Sequence, residues 1–267
     1  MNSNTWAHGP TYPLPETKFE KWYLTGGGKA NTSKGDGKLT REPPGTDGTP
    51  DTYTYDPGDP TPDPRFFEAP KDKDGKELPK AEQKKREKAH HADLTAERKD
   101  VLVFTTEPFK EGYTFAGPVS AVLCAASSAR DTDWHVRLVE VDEKGELFLL
   151  CAGKLRARFR KSMSKPELIE PDTVYEYQID IWQTGLTVKA GGRLRVEVAS
   201  AAFPPILPEP EHRRAQREGD EVRVRPADDP PQQGVPVPRP PPGPAAVPGE
   251  EAVRPASDAG SSAGALV

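Results

Sequence analysis

The feature that most constrains the fold of this chain is a two-residue alternation of apolar and polar side chains. In residues 174–182 and 193–198, charged or polar residues alternate with aliphatic and aromatic ones. Other apolar runs, separated by turns rich in Gly, Pro and Asp, lie at 101–104, 114–126, 134–141 and 147–160. Such alternation is typical of β-strands with one buried and one solvated face, as antiparallel sheets permit. We therefore predict an all-β sandwich.

The first 100 residues are less regular. Residues 19–24 and 52–55 predict two short strands, each followed by a turn rich in Gly or Pro. Residues 71–99 are dominated by Lys and Glu, and 81–96 contains good helix formers with almost no apolar stripe. A helix that is polar all round faces solvent or is disordered. We predict a charged, partly helical insertion at about 64–99 that leaves the sandwich and contains at most a short helix.

Composition limits the partners and the location of the chain. The net charge is −5 with acids and bases interspersed, which argues against nucleic-acid binding. No apolar run reaches the ~18 residues of a transmembrane helix. The N-terminal residues lack the basic and apolar blocks of a signal peptide. The sequence thus predicts neither a nucleic-acid nor a membrane partner and, by default, a cytoplasmic location.

Side chains that could perform catalysis or bind metals lack the spacing that this chemistry needs. The His90–His91 pair has no nearby Cys, and His135 falls on the outward side of a predicted strand. We predict no catalytic residue, no metal site and no cofactor in this chain. Cys124 and Cys151 are single cysteines in apolar surroundings. A disulfide between them stays open as an alternative, but two buried free thiols fit the pattern better.

A series of short strings resembles one known family. They are Y-P-L-P-E-T at 12–17, W-Y-L at 22–24, G-K-A-N at 28–31, G-D-G-K-L at 35–39, D-x-Y-x-Y-D-P-G-D-P at 51–60, D-V-L-V-F-T-T at 100–106, G-P-V at 117–119, D-T-D-W-H-V-R-L at 131–138, G-G-R-L-R-V at 191–196 and A-F-P at 202–204. Their order and spacing resemble the C-terminal domain of the X-prolyl dipeptidyl-peptidase and cocaine-esterase family of serine hydrolases. The resemblance covers residues 1–204, apart from the charged segment 64–99.

The resemblance implies a jelly-roll β-sandwich that packs beside an α/β-hydrolase domain. The family's catalytic triad lies upstream of this domain, so the resemblance implies an accessory domain that is inactive alone. Its partner would be an α/β-hydrolase catalytic domain, absent here or on a separate chain. Asp131, Asp133 and Trp134 match the family's D-T-D-[FW] motif, for which a turn that caps a strand is expected. Phe66 and Phe67 fall where the family's loop approaches the cleft, and they are candidate substrate-pocket residues.

A stand-alone carbohydrate- or protein-binding β-sandwich is the alternative function, because jelly rolls also serve as lectin-like modules. Such a module should present a cluster of exposed aromatic side chains on one face. We predict instead that Trp134, Trp182, Tyr175 and Tyr177 belong to the core, which favours the accessory domain of a hydrolase.

The C-terminal part of the chain differs from the rest. Residues 204–267 hold 15 of the 31 prolines and no aromatic residue. A reading frame shifted by one base from about residue 206 permits strings typical of the family, N-L-N-T-G and Y-P-S-H-V-L-L-P-V. We predict a sandwich domain at 1–205 and a Pro-rich, disordered, frameshifted tail at 206–267. Strands lost with that tail would leave sheet edges open, which predicts self-association.

Overall fold

The computed structural model describes residues 8–45, 49–67, 71–203, 220–225 and 264–266. In chain order the strands are β1 (Lys18–Glu20), β2 (Tyr23–Thr25), β3 (Lys38–Thr40), β4 (Asp51–Tyr55), β5 (Val101–Thr105), β6 (Tyr113–Ser127), β7 (Asp133–Val141), β8 (Leu147–Arg156), β9 (Tyr175–Val188), β10 (Arg193–Ala199), β11 (Asp220–Arg225) and β12 (Gly264–Leu266). A helix, α1 (Lys80–Glu97), lies between β4 and β5. Short 3-10 turns occur at Pro64–Phe66 and Ala157–Phe159.

The strands form two six-stranded sheets. The β10 sheet has the order β2-β3-β5-β10-β7-β8, and β10 runs antiparallel to both of its neighbours. The β6 sheet has the order β1-β12-β6-β11-β4, and β9 pairs with β6 along its length. The expected all-β sandwich is confirmed.

The core lies between the two sheets and follows the alternation seen in the sequence. Trp134 and Tyr177, from different sheets, are both 0% exposed, and their ring centroids are 5.1 Å apart. Phe104 of β5 and Phe115 of β6 are buried in the same cluster. Burying large aromatic side chains of this kind contributes the dominant favourable term in folding.

Helix α1 differs from the predicted insertion, which was expected to leave the sandwich and to contain at most a short helix. It has 18 residues and packs on the sandwich. Its Leu94 contacts Val101, Val103 and Ala199 on the outer face of the β10 sheet. The predicted lack of an apolar stripe is real, since only a few of its side chains are buried. The contact depends instead on single residues that meet partners on the sheet, as described below for His91.

The β8 and β9 strands approach each other where the two sheets meet. A Cβ atom at Gly153 of β8 would collide with the Asp180 carbonyl oxygen of β9, so only glycine permits this approach. At the same place the β6–β9 register shifts between Val119 and Ser120. This shift is a β-bulge, in which an extra residue of one strand bends the ladder.

The predicted tail at 206–267 lies mostly outside the described residues, but two of its segments differ from the expectation. Strand β11 runs antiparallel to both β4 and β6, and its Val224 is buried in the core. Strand β12 pairs with β1 and β6. Sandwich strands are thus found beyond the predicted boundary at residue 205.

Two simpler expectations concern the cysteines and membrane spans. Cys124 and Cys151 are buried and are not linked by a disulfide, as the sequence indicated. Burial raises the pKa of the Cys151 thiol to about 11, so it stays protonated at neutral pH. In the described part of the chain, no helix is long and apolar enough to cross a membrane.

Candidate functional site

Phe66 and Phe67, the candidate substrate-pocket residues, lie at the end of a 3-10 turn and directly after it, beside helix α1. The buried Asp63 carboxylate caps this turn by accepting a hydrogen bond from the Arg65 backbone N–H at 3.0 Å. It also pairs with the Arg65 guanidinium, whose Nε is 3.0 and 3.1 Å from the two carboxylate oxygens. Although burial raises the pKa of Asp63, the bonds from Arg65 outweigh it and lower the pKa.

The segment before the turn is tied to the sandwich at two points. The Asp63 N–H donates to the Phe203 carbonyl, and the Phe203 N–H donates to the Thr61 carbonyl, both at 2.8 Å. The Thr61 hydroxyl then donates to the buried Asp100 carboxylate at 2.6 Å. The Arg98 side chain, which follows α1 in the chain, also pairs with Asp100, and this bond raises the pKa of Arg98. These bonds hold the turn in one position relative to the β10 sheet.

The two phenylalanines have different surroundings. Phe66 is 45% exposed, with the Arg65 guanidinium over its ring at 6.0 Å. Phe67 is half-buried and stacks on the His90 ring of α1, with centroids 4.9 Å apart. Helix α1 therefore contacts the turn through Phe67, whereas Phe66 is exposed and can contact a molecule outside the domain.

A buried charged network joins α1 to the β10 sheet. Glu197 of β10 is 0% exposed, and its oxygens lie 3.0 and 3.1 Å from His91 Nε2. Arg137 of β7 donates from Nε to the same carboxylate at 3.0 Å. Burial raises the pKa of Glu197, but Arg137 and His91 outweigh it, and the pKa is lowered. The other two Arg137 nitrogens are buried and have no hydrogen-bond partner among the described residues.

His135 was expected to be an outward side chain, and it does point away from the core. It pairs in register with Ala199 and Lys154 on the outer face of the β10 sheet. Burial there and the nearby Arg137 and Lys154 charges lower the pKa of His135 to about 4. A histidine that stays neutral beside cations is not arranged for acid–base catalysis near neutral pH.

The D-T-D-W motif sits in the loop and first residues of β7. Asp131 accepts hydrogen bonds from Arg156 Nε at 2.8 Å and from Arg158 Nε at 2.6 Å and backbone N–H at 3.0 Å. Asp133 lies 3.6 Å from the Arg156 guanidinium. Trp134 is in the core. Among the described residues no group of three or more His, Cys, Asp or Glu side chains could hold a metal ion.

An open depression of about 520 Å³ lies beside β4 and the end of α1. Its lining includes Tyr53, Asp59, Arg98 and Asp100, but neither Phe66 nor Phe67. Arg98 in its wall bonds both Asp59 and Asp100, so these three charges are paired. These contacts favour a structural role for the three side chains.

The sequence reasoning missed two features. Trp182 is 67% exposed, so its predicted place in the core is wrong, while Trp134 and Tyr177 are buried as expected. The string G-S-S-A-G at 260–264 has the G-x-S-x-G spacing of a hydrolase nucleophile. That motif needs a helix to follow the serine, and here the next described residues form strand β12.

The fold and its contacts define a β-sandwich module. The buried Ser200 shares hydrogen bonds with the Tyr53 and Thr132 hydroxyls, rather than with the imidazole that activates a hydrolase serine. Residues 1–235 match the model of a known family, the X-Pro dipeptidyl-peptidase C-terminal non-catalytic domain. The chain belongs to that family, and the resemblance seen in its short strings is thereby confirmed.

Comparison with individual proteins gives the same result. Cocaine esterase from Rhodococcus sp. (strain MB1 Bresler) is 37% identical over 207 residues, which are 76% of this chain and 33% of the esterase. An aminopeptidase from the marine sediment archaeon Thaumarchaeota archaeon is similar over 84% of this chain and 37% of its own, with a TM-score of 0.61 and 26% identity. An α-amino acid ester hydrolase is similar over 82% of this chain and 36% of its own, with a TM-score of 0.59 and 25% identity. The chain thus spans about a third of the length of these relatives.

Proposed function

We propose that this chain acts as the C-terminal accessory domain of a serine hydrolase whose α/β-hydrolase catalytic domain carries the triad. The observation that carries the proposal is the match to a non-catalytic domain that accounts for only about a third of each relative. Those relatives are named as an esterase, an ester hydrolase and an aminopeptidase. Acyl esters and X-Pro peptides are therefore the substrate classes of the proposed hydrolase.

Within that hydrolase, the turn at Pro64–Phe66 would form part of the cleft wall. The bonds that hold the turn support this role, because a positioned wall must keep its geometry without the substrate. Asp63, Arg65 and the stacked pair of Phe67 and His90 fix the turn. The exposed Phe66 ring then offers an apolar surface to the acyl or proline part of a substrate.

The proposal can be tested with a chimera. The catalytic portion of the Rhodococcus cocaine esterase is joined to this chain, which replaces the esterase's own matched third. We expect the chimera to hydrolyse an aryl ester faster than the catalytic portion alone, whereas this chain alone hydrolyses neither an aryl ester nor an X-Pro amide. Turnover by the purified chain alone, blocked by a serine-directed inhibitor, would contradict the accessory role.

The role of Phe66 is tested in the same chimera. Losing one aromatic contact of about 0.5–1.5 kcal/mol should raise KM for an aryl ester about 2–10-fold in Phe66→Ala. Phe148→Ala is the matched control, because Phe148 is a similarly exposed phenylalanine, on β8. Equal KM values for the two variants would mean that Phe66 does not face the substrate.

A further inference from the structure

Arg137 carries a buried charge that the described part of the domain satisfies only in part. Its side chain is 4% exposed, and its Nε donates to the Glu197 carboxylate at 3.0 Å. Nη1 and Nη2 are also buried, and among the described residues neither has a hydrogen-bond partner. Most of the N–H donors of a guanidinium are on these two nitrogens. Because buried polar groups are normally hydrogen-bonded, a free end of this kind points to an acceptor that the chain itself does not supply.

Arg137 lies on the outer face of the β10 sheet, near the edge of that sheet. Its register partner on β10 is Glu197, and its partner on β8 is Ala152. Residues directly opposite each other share a face of the sheet, so Ala152 is the β8 side chain beside Arg137. Ala152 is small and half-buried, and Lys154, two residues further along β8, is exposed. Since β8 is the last strand in the order of this sheet, the path from solvent to Arg137 is short on this side.

The surroundings of Arg137 hold more positive than negative charge. The neighbouring His135 lies within the electrostatic influence of three cations and one carboxylate, namely Arg137, Lys154, Arg65 and Asp63. Asp63 is already paired with Arg65, and Glu197 with Arg137 Nε and His91. Three cations against these two carboxylates leave an excess of one positive charge, before any charge on His91 is counted.

We propose that Arg137 and His135, with Lys154 at the outer edge, form a binding site for a small free carboxylate such as acetate. Nη1 and Nη2 of Arg137 would each donate to one carboxylate oxygen, because the planar guanidinium fork matches a carboxylate in this way. Burial, together with the charges of Arg137, Lys154 and Arg65, lowers the pKa of His135 to about 4, so the neutral imidazole keeps one N–H donor. The inference goes beyond the proposed function, since it concerns this chain alone.

Other occupants fit these contacts less well. Sulfate would bring two negative charges to a site with an excess of one positive charge. Chloride has the right charge, but a sphere cannot use the two parallel N–H groups of the fork. A water molecule can accept from the Nη groups, but it leaves the buried excess charge without a counter-charge.

Ligand-dependent stabilisation of the full chain tests the site. Thermal unfolding is followed at pH 7 while sodium acetate replaces the sodium salt of a bulky sulfonate, so that the ionic strength stays constant. A ligand that binds only the folded chain raises the melting temperature. At an acetate concentration ten times its Kd, we expect a rise of about 3–6 °C. Sodium chloride or sodium sulfate at the same ionic strength should give less than half of this rise.

Three variants locate the effect. Arg137→Lys keeps the positive charge but removes the fork, so the acetate-dependent rise should disappear. Because Arg137 also holds the buried Glu197, Lys154→Met is a second variant that leaves this pair intact, and it should weaken acetate binding about 2–5-fold. Lys144→Met is the matched control, because Lys144 is an exposed lysine in the turn between β7 and β8, and acetate binding should not change.

NMR of the arginine side chains gives a readout at the site itself. The Nη–H signals that Arg137→Lys removes from the spectrum should shift as acetate is added. If Arg137→Lys does not fold, Lys154→Met against Lys144→Met decides. Equal stabilisation by acetate, chloride and sulfate, or equal weakening in both lysine variants, would indicate general screening and overturn the site. No stabilisation by acetate would mean that water satisfies the fork, which also overturns it.

Discussion

Replacing Glu197 by Gln tests whether a buried charged network holds α1 on the sheet. Glu197 is fully buried and pairs with Arg137 on β7 and His91 on α1. The substitution keeps the shape of the side chain but removes its negative charge. The Arg137 guanidinium, two of whose nitrogens have no hydrogen-bond partner among the described residues, then remains buried without the carboxylate that pairs with it.

Removing one partner of a buried ion pair costs about 3–5 kcal/mol. A domain of this size loses about 2–4 °C of melting temperature per kcal/mol, which predicts a fall of roughly 6–20 °C. The measurement is thermal unfolding of the full chain followed by circular dichroism. Glu176→Gln is the matched control, because Glu176 is an exposed carboxylate on β9, and its melting temperature should stay within about 1–2 °C of the parent.

The pH dependence gives an independent check. The folded-state pKa of Glu197 is lowered, mainly because Arg137 and His91 outweigh the effect of burial. Its stabilisation is therefore present above the unfolded pKa of about 4.3 and is lost as pH falls through the lower folded value. Arg137, Arg195 and His91 are the charged or titratable groups that face it. The Gln variant should lack this part of the acid-induced loss of stability.

A double substitution can refute the reasoning. If the cost comes from an uncompensated charge, Glu197→Gln combined with Arg137→Met should be more stable than Glu197→Gln alone. A double variant that is less stable than the single one, or a single variant that melts like the Glu176→Gln control, would show that the network does not contribute as argued.

Four further predictions concern stability in urea or heat. As pH falls from 6.5 to 4, the parent should lose about 3 kcal/mol of its free energy of unfolding, because the folded-state pKa of His135 is about 4 and lies below the unfolded one. His135→Gln should remove this loss, and a variant with the parent's pH profile would contradict the prediction. Gly153→Ala should destabilise by about 1–3 kcal/mol through its collision with the Asp180 carbonyl, and a neutral effect would exclude that close approach. Trp182→Gly should leave the free energy of unfolding unchanged or raise it, because glycine adopts the positive φ at this position without strain. A large loss of stability would mean that the Trp182 ring packs against the domain. Removing 206–267 should lower the melting temperature, since β11 lies between β4 and β6; no change would favour the disordered tail.

The alternation of side chains was sufficient to predict the two sheets and most of their core. Tyr177 and Ile179 are buried on β9, and Glu176 and Gln178 between them are exposed. A period of two fixes which residues share a face of a strand, whatever the rest of the chain does. The family could likewise be identified from short strings, because tight turns and strand starts demand particular residues at fixed spacing.

The tail shows how far this local information extends. Residues 220–225 read D-E-V-R-V-R and form β11, although their surroundings are rich in proline. In this string Val222 and Val224 alternate with Arg223 and Arg225. Alternation is thus present at 220–225, and composition over the whole tail obscured it.

Only the tertiary structure decided the positions of α1, Phe67 and Trp182. The sequence of α1 shows no apolar stripe, because its attachment depends on His91 meeting Glu197, 106 residues further along the chain. Phe67 is held by His90 of the same helix. At Trp182 a bulge shifts the register by one residue, so the buried positions of β9 change from Tyr177, Ile179 and Ile181 before it to Leu186 and Val188 after it. Sequence periodicity reports which residues share an element, whereas contacts between distant elements and single-residue bulges depend on how those elements pack.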